Sequence, residues 1–179
     1  MCYHEGMNWF ALLLILESAL VAGIDNAPRE AGVYMLRGDA EWVELEPAPV
    51  AGARTRGLEM FIETGGYTRF FVDIAFAGEK AAWRTTDRSP RFFFRGPFSP
   101  ADLLIVRLTP RGGRRLGRTS PGSASVTNKA GFPHADLVRL RTSVRDDGSF
   151  LAIPEDPLSP GEYLLVAGDV DSGRDFGVD

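Results

Sequence analysis

The densest run of chemically competent side chains is Arg111-Gly112-Gly113-Arg114-Arg115-Leu116-Gly117-Arg118. Guanidinium forks chelate oxyanions, and glycines let backbone amides approach an anion closely, so this stretch is a candidate site for phosphate or an acidic polymer. It lacks the Gly-Lys-Ser/Thr ending of a phosphate-binding P-loop. Arg139 and Arg141 fall on one face of a period-two segment further along and extend the set. The candidate ligand-binding residues are therefore Arg111, Arg114, Arg115, Arg118, Arg139 and Arg141. The run Arg91-Phe92-Phe93-Phe94-Arg95 has the composition of a stacking platform for bases or sugars. Three consecutive phenylalanines are more often core, however, and no nucleic-acid partner is expected.

Other chemistries find weaker material. Asp169-Val170-Asp171-Ser172-Gly173-Arg174-Asp175 places oxygens at alternate residues as calcium loops do, but glycine stands at the third acidic position and no glutamate follows at the twelfth. It reads as a polar turn, with no metal expected. His134 stands close to Ser123, Ser125 and Asp136, yet no Gly-x-Ser-x-Gly elbow is present. Glu59 and Glu63 share a strand face, as any two acids at that spacing do. No catalytic, metal or cofactor-binding residue is assigned, and a non-enzymatic protein is expected.

Charge is placed more informatively than its total of −4. From Arg84 to Arg118 nine arginines face two aspartates, a net of +7; from Glu155 to Asp179 seven acids face Arg174, a net of −6. The two blocks are expected to meet within the fold and largely neutralise one another. Nearly all the basic residues are arginine, only Lys80 and Lys129 being lysine, a skew as compatible with genome composition as with selection for bidentate contacts. Cys2 has no partner within the chain, so no disulfide framework exists.

The elements that would hold these residues are strands. Gly32–Arg37 and Glu41–Leu45 read as a hairpin across Gly38-Asp39-Ala40, and Pro47 and Pro49 end it. Leu58–Ile62 reads as a short strand. Phe70, Val72, Ile74 and Phe76 alternate with Arg69, Phe71, Asp73 and Ala75, which predicts a strand with one face in the core. A short strand is expected around Ala81–Trp83. Leu103–Leu108 is apolar enough for a fully buried strand. Residues 110–133, poor in apolar side chains, are expected to be a flexible Arg/Gly/Ser-rich loop or a long flexible hairpin arm. Val138–Val144 and Ser149–Ile153 flank the tight-turn signal Asp146-Asp147-Gly148.

Leu158-Ser159-Pro160-Gly161-Glu162-Tyr163, opening the apolar run Leu164–Ala167, has the form of a tyrosine corner. Leu158, Pro160, Gly161 and Tyr163 turn the chain between sheets, and the tyrosine hydroxyl bonds backbone a few residues upstream. No 3.6-residue apolar period occurs outside the N-terminus. The fold class expected is all-β: an antiparallel β-sandwich of eight to ten strands, immunoglobulin-like or Greek-key, preceded by an apolar leader helix.

Trp9–Gly23 is apolar, too short to span a bilayer, and ends in small residues, as a signal-peptide core does. The expected organisation is a leader at 1–23, a linker at 24–31 and one β-sandwich domain at 32–179, a length that with 44% apolar residues suits one core. No membrane span is expected once the leader is removed. Gly32-Val33-Tyr34, Glu41–Pro47, the Leu104–Leu108 strand, the Leu158–Leu165 corner and Asp175–Val178 together resemble a group of uncharacterised exported bacterial β-sandwich proteins. The corner is also similar to that of transthyretin-like and other immunoglobulin-like accessory modules. The resemblance implies a sandwich fold and a periplasmic or secreted location; it carries over no activity, ligand or catalytic residue. The expected role is an envelope-associated interaction or structural module with a protein or glycan partner, the alternative being an anionic-ligand binder acting through the six arginines.

Overall fold

The computed structural model describes residues 26–38, 40–56, 71–120, 131–168 and 170–179, with backbone alone for Thr55, Arg56 and Asp171. The leader at 1–23, the Leu58–Ile62 strand with Glu59 and Glu63, and Ser123, Ser125 and Asp169 lie outside the described residues. The fold is all-β, with two sheets dominated by antiparallel pairing and consistent with a β-sandwich.

The strands are β1 (Gly32–Arg37), β2 (Glu41–Glu44), β3 (Val50–Arg56), β4 (Phe71–Ala77), β5 (Arg84–Thr85), β6 (Phe92–Arg95), β7 (Leu103–Arg111), β8 (Arg114–Thr119), β9 (Leu137–Val138), β10 (Leu140–Val144), β11 (Phe150–Pro154), β12 (Gly161–Ala167) and β13 (Arg174–Val178). The smaller sheet runs β10-β11-β6-β1-β2. The larger runs β3-β4-β8-β7-β12-β13-β5, with β9 also on β7. The stretch through β9 and β10 changes sheets at Arg139, pairing Val138 with Ile105 on one side and Leu140 with Pro154 on the other.

Between the sheets lies the main core. Val33 and Met35 of β1, Phe92 and Phe94 of β6 and Phe150 of β11 meet Ile105 of β7, Tyr163 and Leu165 of β12 and Phe176 of β13. Phe94 stacks on Phe150 with ring centroids 4.6 Å apart, and Phe176 lies 5.0 Å from Phe92. All three phenylalanines at 92–94 are fully buried, so the aromatic–arginine run supplies core and offers no open stacking surface. The larger sheet has a second core on its far face, where Phe76, Val106, Leu108, Leu164 and Val166 pack with Phe132. That arrangement explains why β12 is apolar from Leu164 to Val166: both of its faces are covered there.

Residues 158–163 link β11 of the smaller sheet to β12 of the larger. Tyr163 donates its hydroxyl to the Ser159 carbonyl at 2.6 Å, and burial raises its pKa. Leu158 is buried, its N–H donating to the Arg88 carbonyl, while Arg88 Nε donates back to the Leu158 carbonyl at 2.7 Å. The Asp146-Asp147-Gly148 turn is also present, with Gly148 at φ +77° and Asp147 Oδ1 accepting from the Ser149 N–H and hydroxyl.

Of the two forms expected for 110–133, its start takes the hairpin: Arg111 pairs with Arg114 across Gly112 (φ +58°) and Gly113 (φ +76°), the positive pair that a two-residue hairpin turn requires, while residues 121–130 lie outside the described residues. Two local expectations are corrected. Residues 81–83 are irregular and the short strand falls one step later, at Arg84–Thr85, where it pairs parallel with β13. Arg107 is exposed and Leu104 half-buried, so Leu103–Leu108 is not buried throughout, and residues 109–111 beyond it are exposed.

Candidate anion-binding groove

Strand parity sorts the arginines of β7 and β8 into two environments. Across β7 and β8, Arg111 faces Arg114 and Thr109 faces Leu116; across β8 and β4, Leu116 faces Ala75 and Arg118 faces Asp73. Arg54 of β3 then faces Asp73. Arg54, Arg107, Arg111, Arg114 and Arg118 therefore lie on the same face of the larger sheet as Ile105, the face that packs against the smaller sheet. Toward β3 that face is open to solvent, and all five arginines are exposed there.

The open face is concave. A depression of about 380 Å³ is walled by Arg54, Arg111 and Arg114 over a floor of Gly52, Ala75 and Leu116. A second, of about 200 Å³, shares Asp73, Arg111 and Leu116 with the first and adds Arg118 and Arg107. A third, of about 240 Å³, shares Arg107 and Asp136 with the second and reaches Arg139, Ser159 and Tyr163 at the corner. The three depressions form one groove. Among the described residues no carboxylate pairs with Arg54, Arg111 or Arg114, whereas Arg118 Nε bonds buried Asp73 at 2.9 Å and its guanidinium lies 5.5 Å from the Phe71 ring centroid. The Asp73 hydrogen bond raises the Arg118 pKa. Arg107 is held by the Pro160 carbonyl at 3.3 Å.

Arg115 points the other way. Its side chain is 5% exposed, against 48% for Arg118. It pairs with Asp175 of β13, lies 3.9 Å from Glu162 of β12, and donates to the carbonyls of Ala77 and Gly78. Glu162 also accepts from the Ala81 N–H at 2.6 Å and from Arg84 Nη1 at 2.6 Å; Arg84 in turn holds Asp179 at 2.5 Å. Hydrogen bonds to Asp179 and Glu162 raise the Arg84 pKa, and Arg84 lowers that of Asp179. The basic and acidic blocks thus meet as their charges predict, through this cluster. A buried charge is tolerated only when paired and hydrogen-bonded, and Glu162 meets both conditions.

Of the six arginines singled out by sequence, Arg111, Arg114, Arg118 and Arg139 line the groove, Arg139 lying 3.1 Å from Asp156 and 3.5 Å from Glu155. Arg115 belongs to the buried cluster. Arg141 lies apart, on the outer face of the smaller sheet beside Leu151 and Ile153. Arg54 and Arg107 join the groove without having been singled out; pairing β8 against its neighbours reveals both. His134 is exposed and opens the 3-10 turn at His134–Asp136, of which Asp136 lines the groove. The acidic tail contains a 3-10 turn at Val170–Ser172, followed by Arg174, which donates to the carbonyls of Leu45 and Ser172.

Compared with models of known protein families, with curated proteins and with solved structures, the chain shows no significant match.

Proposed function

We propose that this chain is a non-enzymatic extracytoplasmic module that holds an anionic ligand in the arginine-lined groove. The observation carrying the reading is that Arg54, Arg111 and Arg114 surround one concave, solvent-facing floor with no carboxylate partner among the described residues. Several other arginines are matched to carboxylates: Arg37 with Glu41, Arg84 with Glu162 and Asp179, Arg95 with Asp147, Arg115 with Asp175. Guanidinium groups left without a carboxylate partner around an open depression are positioned for bidentate contacts to carboxylate, sulfate or phosphate. The apolar run Trp9–Gly23 supports export, and the tyrosine corner at Tyr163 supports an immunoglobulin-like or Greek-key assignment for the two-sheet fold.

A salt-gradient elution from immobilised heparin tests the reading. The wild-type chain is expected to be retained at moderate salt, and Arg111→Ala/Arg114→Ala to elute much earlier. Flow-through of the wild-type chain contradicts ligand binding and leaves the interaction-module reading. In that reading the terminal strand β10, with Val144 62% exposed, offers the contact edge.

A further inference from the structure

On the reading that the groove holds an anion, we infer that its ligand is a linear acidic polysaccharide, with carboxylates or sulfates on successive sugars beside free hydroxyls. The first argument is extent. The cations are spread along three connected depressions, of which the first alone, from Arg54 on β3 to Arg111 on β7, crosses three inter-strand spacings, about 14 Å. A single small anion occupies one depression and reaches only its own arginines. A chain laid along the groove meets Arg54 and Arg114 first, then Arg111 and Arg118, then Arg107 and Arg139.

The second argument is the chemistry between the cations. Asp73 lines the first and second depressions, Asp136 the second and third, and Asp156, paired with Arg139, the third. Carboxylates are acceptors only, and they repel a polyphosphate, whose exposed oxygens are acceptors too. A sugar bearing an acid group and hydroxyls satisfies both kinds of lining group: its anion accepts from guanidinium while its hydroxyls donate to Asp136. Nucleic acid fits less well, because single-stranded binding relies on open aromatic faces and Phe92–Phe94 are fully buried.

The test is calorimetric titration of the full chain, at low salt, with galacturonic acid, with oligogalacturonates of increasing length and with polyphosphate of matched charge. Affinity is expected to rise by roughly a hundredfold from the monomer to an oligomer long enough to span the three depressions. Asp136→Asn is expected to weaken the oligogalacturonate and strengthen polyphosphate, and Arg141→Ala, outside the groove, to change neither. Equal affinity for monomer and oligomer, or polyphosphate binding tighter than oligogalacturonate to the wild-type chain, overturns the inference while heparin retention keeps the anion-binding reading intact. Loss of binding to every polyanion, heparin included, overturns both.

Discussion

Arg114 and Arg115 are neighbours in sequence, identical in type, and opposite in role. Successive residues on a strand point to opposite faces, so β8 delivers Arg114 to an open groove and Arg115 to a buried cluster with Asp175 and Glu162. The buried one has its charge matched by Asp175, and its Nε and Nη2 donate to the carbonyls of Gly78 and Ala77. The exposed one has no such partners among the described residues. An arginine-rich stretch therefore says little until its faces are separated. Here one face ties β4, β8, β12 and β13 together, while the other presents guanidinium groups to solvent.

The sharpest way to break that contrast is to truncate each arginine in turn. Arg115→Ala leaves Asp175 without its buried counter-charge, Glu162 keeping Arg84, and is expected to cost about 3–5 kcal/mol in urea denaturation. Arg114→Ala is expected to stay within about 0.5 kcal/mol of wild type, as surface changes do. Similar losses for the two would remove the distinction between the faces. The corner that ends the groove comes next. Tyr163→Phe deletes the bond to the Ser159 carbonyl and should cost about 1 kcal/mol, with the same denaturation curve as the readout. An unchanged midpoint would deny the corner its structural part.

The smallest expected effect is on an exposed ion pair outside both regions. Hydrogen bonds from the Ser149 hydroxyl and N–H, with help from Arg95, hold the Asp147 carboxyl down at about 2. A carboxylate with a depressed folded-state pKa adds stability above its unfolded value, near 3.9, and loses it as pH falls toward 2. Asp147→Asn should flatten that part of the acid-denaturation profile slightly and leave stability at pH 6 to 8 lower by a constant amount. A profile of unchanged steepness would count against the turn geometry.

Much of the architecture was legible. Gly32–Arg37 forms the strand its residues predict, and Tyr163 bonds backbone four residues upstream. The +7 and −6 blocks meet through Arg84, Arg115, Glu162 and Asp175. What escaped were strands whose residues carry no apolar period. Val50–Arg56 is built from small and charged residues, and Arg174–Val178 opens with two charges that are tolerated because Leu45, Ser172 and Arg115 bond them. The groove was half legible. Gly112-Gly113 is a two-residue turn signal, and reading it so would have split Arg114 and Arg118 from Arg115 by parity alone. Arg54 and Arg107 needed the pairing of β3, β4, β8 and β7, which only the assembled sheet supplies.

The central claim, that one face of β8 binds and the other holds the fold together, is tested most directly by arginine side-chain NMR. The Nε–Hε signals are followed in the chain as oligogalacturonate is added. Signals of Arg111, Arg114 and Arg54 are predicted to shift in a saturable way while those of Arg84 and Arg115 stay in place. Shifts at Arg115 equal to those at Arg114, or none at either under conditions where heparin is retained, would contradict it.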